Sequence, residues 1–133
     1  MKPVKVGICG LGTVGSGTFN ILQDNAEEIT RRVGRSIVVE QIGARRDNPT
    51  CDTTDSDITR DIFDVANNPE VDIIVELIGG TSVARELVLT AIENGKHVVT
   101  ANKAVIFEHG EELINLAIKN NVRLLFESAV CAG

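Results

Sequence analysis

Along the chain, short β-branched runs alternate with longer stretches in which apolar residues recur at steps of three or four. The first rhythm belongs to strands and the second to helices, so their regular alternation predicts a parallel sheet. Val4-Lys5-Val6-Gly7-Ile8-Cys9 reads as a first strand that ends in a glycine-rich turn. A helix follows, with Val14, Thr18, Leu22, Ala26, Ile29 and Val33 on one stripe, Arg31 and Arg32 in its last turn, and Gly34 as its stop. A second strand runs from about Ile37 to Ala44, and Asp47-Asn48-Pro49 breaks it. Residues 47–58 are polar and read as a surface loop.

A short helix at Ile62 to Ala66 is expected to end before Asn68-Pro69. The third strand, Val71 to Ile78, is almost continuously apolar, as in a strand covered on both faces, and it too ends in glycines, Gly79-Gly80. Thr81 or Ser82 is placed to cap the next helix, whose stripe of Ala84, Leu87, Val88, Ala91 and Ile92 runs up to Gly95. His97 to Thr100 is the fourth strand. Helical patterns around Lys103 to Glu108 and Glu111 to Asn120 lead to a fifth, Val122 to Glu127.

Composition narrows the picture. At 133 residues the expectation is one compact domain, too short to hold a cofactor domain and a full substrate domain together. With 43% hydrophobic and 24% charged residues, neither disorder nor a fibrous chain fits. Aromatics are only 3%, so the core must be aliphatic and base stacking on nucleic acid is disfavoured. The net charge of −6, with no basic run longer than Arg31-Arg32 or Arg45-Arg46, disfavours phosphate-backbone binding as well. No apolar run approaches the roughly 20 residues of a membrane span, and the start lacks a signal-like stretch, so the expected compartment is the cytoplasm. Cys9, Cys51 and Cys131 are odd in number and follow no metal-ligand spacing, which predicts reduced thiols.

The most informative constellation is Gly10-Leu11-Gly12-Thr13-Val14-Gly15, between the first strand and the first helix. Gly10 permits a tight turn, Gly12 lets the backbone approach a pyrophosphate, and Gly15 lets helix and strand pack, while free N–H groups at the helix start attract phosphate. In that context the glycines predict dinucleotide binding by a Rossmann-like, doubly wound α/β domain, the alternative being a purely structural turn. No acidic residue stands at the end of the second strand to hold the ribose of NAD. Arg45-Arg46-Asp47 stands there instead, and a guanidinium fork matches the 2′-phosphate of NADP. Two solvated arginines would look the same in sequence, and Asp47 leaves NAD open. At the end of the fourth strand, Lys103 opens a helix, where a cation opposes the macrodipole unless it meets a ligand or an acid. Its plain alternative is an exposed lysine. His97, His109 and Cys9 read as structural.

The stretches GICGLGTVGSGTFNIL, VELIGG, GKHVVTANKA and FESAVCAG, in this order and spacing, resemble the N-terminal part of the homoserine dehydrogenase family over essentially the whole chain. The resemblance implies an NAD(P)-dependent oxidoreductase that interconverts L-aspartate 4-semialdehyde and L-homoserine, on the route to threonine, isoleucine and methionine. It implies that Leu11, Thr13, Val14 and Gly15 contact the pyrophosphate, that Arg45 and above all Arg46 read the 2′ position, and that Ile78, Gly79 and Gly80 lie along the cofactor. Thr100 would stand near the nicotinamide, and Lys103 beside it and the reacting oxygen. Glu127, Val130 and Ala132 would offer carbonyl oxygens to a monovalent cation, usually sodium.

Members of the family continue well beyond Gly133, into a substrate-binding and homodimer-forming domain with a second lysine and acidic residues, so this chain alone is expected not to turn over substrate efficiently. Cys131-Ala132 stands where a pair such as Ala-Gly is more common. Two other classes fit the same fingerprint. One is another reductase on this cofactor domain, such as aspartate-semialdehyde dehydrogenase, whose nucleophile only Cys131 could supply, without a histidine partner. The other is a nucleotide-sensing module without chemistry, which needs no lysine at the nicotinamide end.

Overall fold

The β-branched runs become strands, and the apolar stripes become the helix faces that cover them. The computed structural model describes residues 3–10, 34–44 and 57–126. Strands β1 (Val4–Cys9), β2 (Ile37–Gly43), β3 (Asp57–Thr59), β4 (Ile73–Glu76), β5 (His97–Thr100) and β6 (Leu124–Phe126) form one sheet in the order β3-β2-β1-β4-β5-β6. Every pairing is parallel. This is the doubly wound order of the dinucleotide-binding α/β fold. Helices α1 (Ile62–Ala66), α2 (Ser82–Glu93) and α3 (Lys103–Lys119) accompany the strands. The helix expected over 14–33 lies outside the described residues.

Both faces of the sheet are apolar, because successive strand residues serve opposite faces. Ile74 and Val98 join a core with Val65, Leu87, Val88, Ile92, Val105 and Leu113 from the three helices. Val6, Ile8, Ile42 and Val75 form a second buried cluster. All five residues of the stripe expected for α2 are buried. The helix then closes on Gly95, at φ 77, with Lys96 N–H donating to Ala91 O and Gly95 N–H to Ile92 O, two bonds that satisfy its last carbonyls.

Several boundaries differ from the sequence expectation. The stretch taken as loop to residue 58 contains part of β3, which pairs Gln41 with Asp57, Ile42 with Ile58 and Gly43 with Thr59. A three-residue edge strand with one apolar side chain is too short to show an alternation. Among the described residues the sheet therefore has six strands where five were expected. β4 is shorter than Val71 to Ile78: Val71 N–H donates to Asn68 O in a turn, and Ile78 N–H is drawn to the Glu76 side chain. β6 is likewise confined to Leu124–Phe126. The two helical patterns after Lys103 are one helix, because a Cβ at Gly110 would meet nothing nearer than Ile106 at 3.6 Å and the backbone runs through it unbroken. Thr81 occupies the N-cap position of α2 without a side-chain cap, its ψ of −34 being far from the extended backbone that capping requires. Among the described residues, no helix is long and apolar enough to cross a membrane.

Candidate dinucleotide site at the carboxyl ends of the strands

Register sets the site. Thr59, Gly43, Cys9, Glu76, Thr100 and Phe126 are partners in successive pairings, so all six strands end level on one row. Strand order reverses between β1 and β4, and in open α/β sheets the ligand crevice lies outside the carboxyl ends at that point. Three expected site segments come together there on adjacent strands: Gly10 after β1, Ile78 to Gly80 after β4, and Thr100 to Lys103 after β5. Leu11, Gly12, Thr13, Val14, Gly15, Arg45, Arg46, Glu127, Val130 and Ala132 lie outside the described residues.

Gly10 turns the chain at φ +105, and a Cβ there would stand 2.9 Å from Leu77 O, a backbone atom that cannot yield. Only glycine fits this turn. Its N–H donates to Gly43 O at 2.8 Å, which ties the turn to the end of β2. After β4 the chain passes through Gly79 and Gly80, at φ 76 and 72, and a Cβ on either would meet none of the described residues within 4 Å. Clear of those residues, the turn leaves room for a ligand to approach the backbone closely. Ile78 is half-buried against the core.

Between β4 and β5 lies a buried polar chain that pattern reading missed. Glu76 and Thr100 are both 0% exposed. Thr100 Oγ1 donates to Glu76 Oε1 at 2.7 Å, and Ile78 N–H donates to Glu76 Oε2 at 2.9 Å. Thr100 Oγ1 in turn accepts from Asn102 N–H at 2.9 Å. Asn102 is the N-cap of α3, its Oδ1 accepting from Val105 N–H at 3.2 Å, and its Nδ2 donates to Gly80 O at 2.6 Å. Thr100 thus ends β5 with its hydroxyl committed inward. The signals available were an acid closing an apolar strand and an asparagine preceding a helical pattern.

Lys103 is the first residue of α3 and is exposed. It makes no ion pair among the described residues, which leaves the cation at a helix start without an internal partner. His97 Nδ1 accepts from Arg123 N–H at 3.1 Å, and His109 Nε2 lies 3.7 Å from Glu108 Oε2. Cys9 is buried, and burial, with the Glu76 carboxylate second, pushes its thiol well above the ordinary range. Among the described residues, no cluster of His, Cys, Asp and Glu is arranged to hold a metal ion.

Comparisons with known proteins converge. Residues 10–127 match the family model described as homoserine dehydrogenase, NAD binding domain. The homoserine dehydrogenase of Pseudomonas aeruginosa is 67% identical over 133 residues, all of this chain and 31% of that protein. Solved homoserine dehydrogenase structures from Thiobacillus denitrificans and S. aureus align with TM-scores of 0.88 and 0.87, at 49% and 36% identity, over 97% and 96% of this chain and 30% and 33% of theirs. This chain spans about a third of the length of these relatives. Its strand order, its Gly10 turn and these matches agree: the chain belongs to the family of homoserine dehydrogenase NAD-binding domains.

Proposed function

We propose that this chain is the cofactor-binding part of an enzyme interconverting L-homoserine and L-aspartate 4-semialdehyde, and that it takes NADP or NAD across the β1–β4 switch point. The observation that carries this reading is the Gly10 turn packed against Leu77 O at the reversal of strand order. The pyrophosphate would lie on the backbone of Leu11 to Gly15, with Gly12 making the close approach. The 2′ position would be read by Arg45 and Arg46, which follow Ala44, the residue after β2. Ile78, Gly79 and Gly80 would line the other half of the cofactor, and Thr100 would set the floor beneath the nicotinamide.

When bound, the dinucleotide supplies or accepts the hydride. Lys103 would carry the proton side of the reaction, polarising the carbonyl oxygen of the semialdehyde or holding the proton shared with the alcohol. Carbonyl oxygens of Glu127, Val130 and Ala132 would hold a monovalent cation such as sodium, and the complete enzyme would be a cytoplasmic homodimer. Calorimetric titration with NADP⁺ and NAD⁺ tests the core of the proposal, and a folded chain that binds neither would end it. Arg46→Ala is expected to weaken NADP⁺ by about 1.5 to 3 kcal/mol, with much less effect on NAD⁺. Equal losses for both cofactors would remove the arginine from the 2′ site.

A further inference from the structure

We propose that Glu76 is a positioning residue for the nicotinamide half of the site, acting through Thr100 and Asn102 to hold the Gly79–Gly80 turn and the start of α3 in one arrangement; this rests on the cofactor reading above. Hydrogen-bond direction sets the order of the links. A carboxylate only accepts, and here each oxygen takes one donor, the Thr100 hydroxyl and the Ile78 N–H. Threonine has a single hydroxyl proton. Once that proton is given to Glu76, the Thr100 oxygen is left to accept, and it accepts from Asn102 N–H. Asn102 is thereby fixed as cap and clamp together, with its oxygen on α3 and its amide nitrogen on Gly80 O.

Among the described residues, none comes within 4 Å of a Cβ placed on Gly79 or Gly80, so none of them packs against that side of the turn. The Asn102 clamp ties the turn to α3 instead. Lys103 is the next residue after that clamp, so the cation and the turn are referred to the same buried carboxylate. No buried side-chain nitrogen or oxygen among the described residues lacks a partner, so nothing nearby stands ready to replace a lost bond. A Glu76→Gln side chain has the same shape and one wrong end. Its NH₂ must face either the Ile78 N–H or the hydroxyl of Thr100, and in both cases one link of the chain is broken or reversed.

The two mononucleotide halves of the fold separate the consequences, because the 2′ end sits at β2 and the nicotinamide end at β4 and β5. Glu76→Gln is expected to weaken NADP⁺ and NAD⁺ by the same factor, about tenfold or more, while affinity for adenosine 2′,5′-bisphosphate stays at the wild-type value. A residue that served stability alone would weaken all three ligands or none. Asn102→Ser retains a capping oxygen, loses the donor to Gly80 O, and is expected to reproduce the same pattern. Should Glu76→Gln not fold, Asn102→Ser decides alone. Dinucleotide affinities at the wild-type level in a folded variant, or equal losses for the bisphosphate, would overturn the role of Glu76. A wild-type chain that binds no dinucleotide would instead overturn the cofactor reading on which it rests.

Discussion

At Gly10 a single hydrogen atom decides the geometry of the turn. The residue combines a φ of +105 with a backbone carbonyl 2.9 Å from where a Cβ would go, so Gly10→Ala meets both backbone strain and an unyielding neighbour. A loss of about 1–3 kcal/mol in unfolding free energy is expected, together with weaker dinucleotide binding, because the turn must open away from Leu77. Urea unfolding and calorimetric titration of the same variant check the pair, and an unchanged midpoint would mean that the turn relaxes freely. Lys96 gives a second test on the same scale. It is 5% exposed, and its Nζ donates to Asn68 O at 2.6 Å and Val71 O at 2.8 Å, fixing the turn that enters β4. Lys96→Met keeps the stem but leaves both carbonyls without their donor, a cost of about 1–3 kcal/mol. Burial holds the Lys96 ammonium below its ordinary pKa of 10.5, with Asp72 opposing. A base with a lowered folded pKa is shed first by the folded state, so above that value the unfolded chain binds more protons and stability rises with pH. The wild type should therefore gain on Lys96→Met as the pH is raised from neutrality toward 10.5, the reverse of a salt-bridged lysine. A widening gap in urea midpoints between pH 7 and about pH 10 is the expected reading, and a narrowing gap would contradict it.

At the scale of elements, what was legible and what was not divide along the reach of the signal. β1, β5, α1 and the buried stripe of α2 follow from periodicity within one segment, and each lies where the pattern put it. β3 has only Ile58 to mark it, and its pairing with β2 is a contact across residues 43–57 that no local pattern records. The Glu76–Thr100 bond is of the same kind. It spans 24 positions and exists only because the β4–β5 register sets those two residues side by side. The two helical patterns after Lys103 join through Gly110, since a glycine weakens a helix by about 1 kcal/mol without ending it when the flanking stripe is buried. The approach of α1 to the sheet shows how register and small residues cooperate. A Cβ on Gly7 would overlap Val65 of α1 and stand 3.1 Å from Val71, and one on Gly43 would stand 3.0 Å from the Ile62 backbone. Gly7→Ala should thus destabilise by about 1–3 kcal/mol through overpacking. If the cause is steric, adding Val65→Ala will cost less in the Gly7→Ala background than in the wild type, and a double-mutant cycle by chemical denaturation measures the difference. Additive losses would place the strain elsewhere.

For the whole molecule the level row of strand ends matters most, because it brings Gly10, the Gly79–Gly80 turn and Lys103 to one edge of the sheet, in a chain that spans about a third of its relatives' length. Lys103 is where the two parts of such an enzyme would meet. It is exposed at the start of α3, unpaired among the described residues, and placed where the helix dipole disfavours a cation. A task performed on a ligand would account for a position that electrostatics opposes. The decisive experiment needs a full-length enzyme, and 67% identity to the Pseudomonas aeruginosa homoserine dehydrogenase provides one: this chain can replace the corresponding segment of that enzyme. In the hybrid, Lys103→Met keeps the aliphatic stem and removes the cation. Affinity for NADP⁺ should change little, because the proposed pyrophosphate and 2′ contacts would lie on the other half of the site. Turnover of semialdehyde should fall by about 100-fold or more, the size of a lost proton-transfer or oxyanion partner. Single-turnover measurements separate hydride transfer from product release. Near-normal hydride transfer with weakened cofactor binding would make Lys103 a binding residue and move the proton chemistry to the remaining two-thirds of the enzyme.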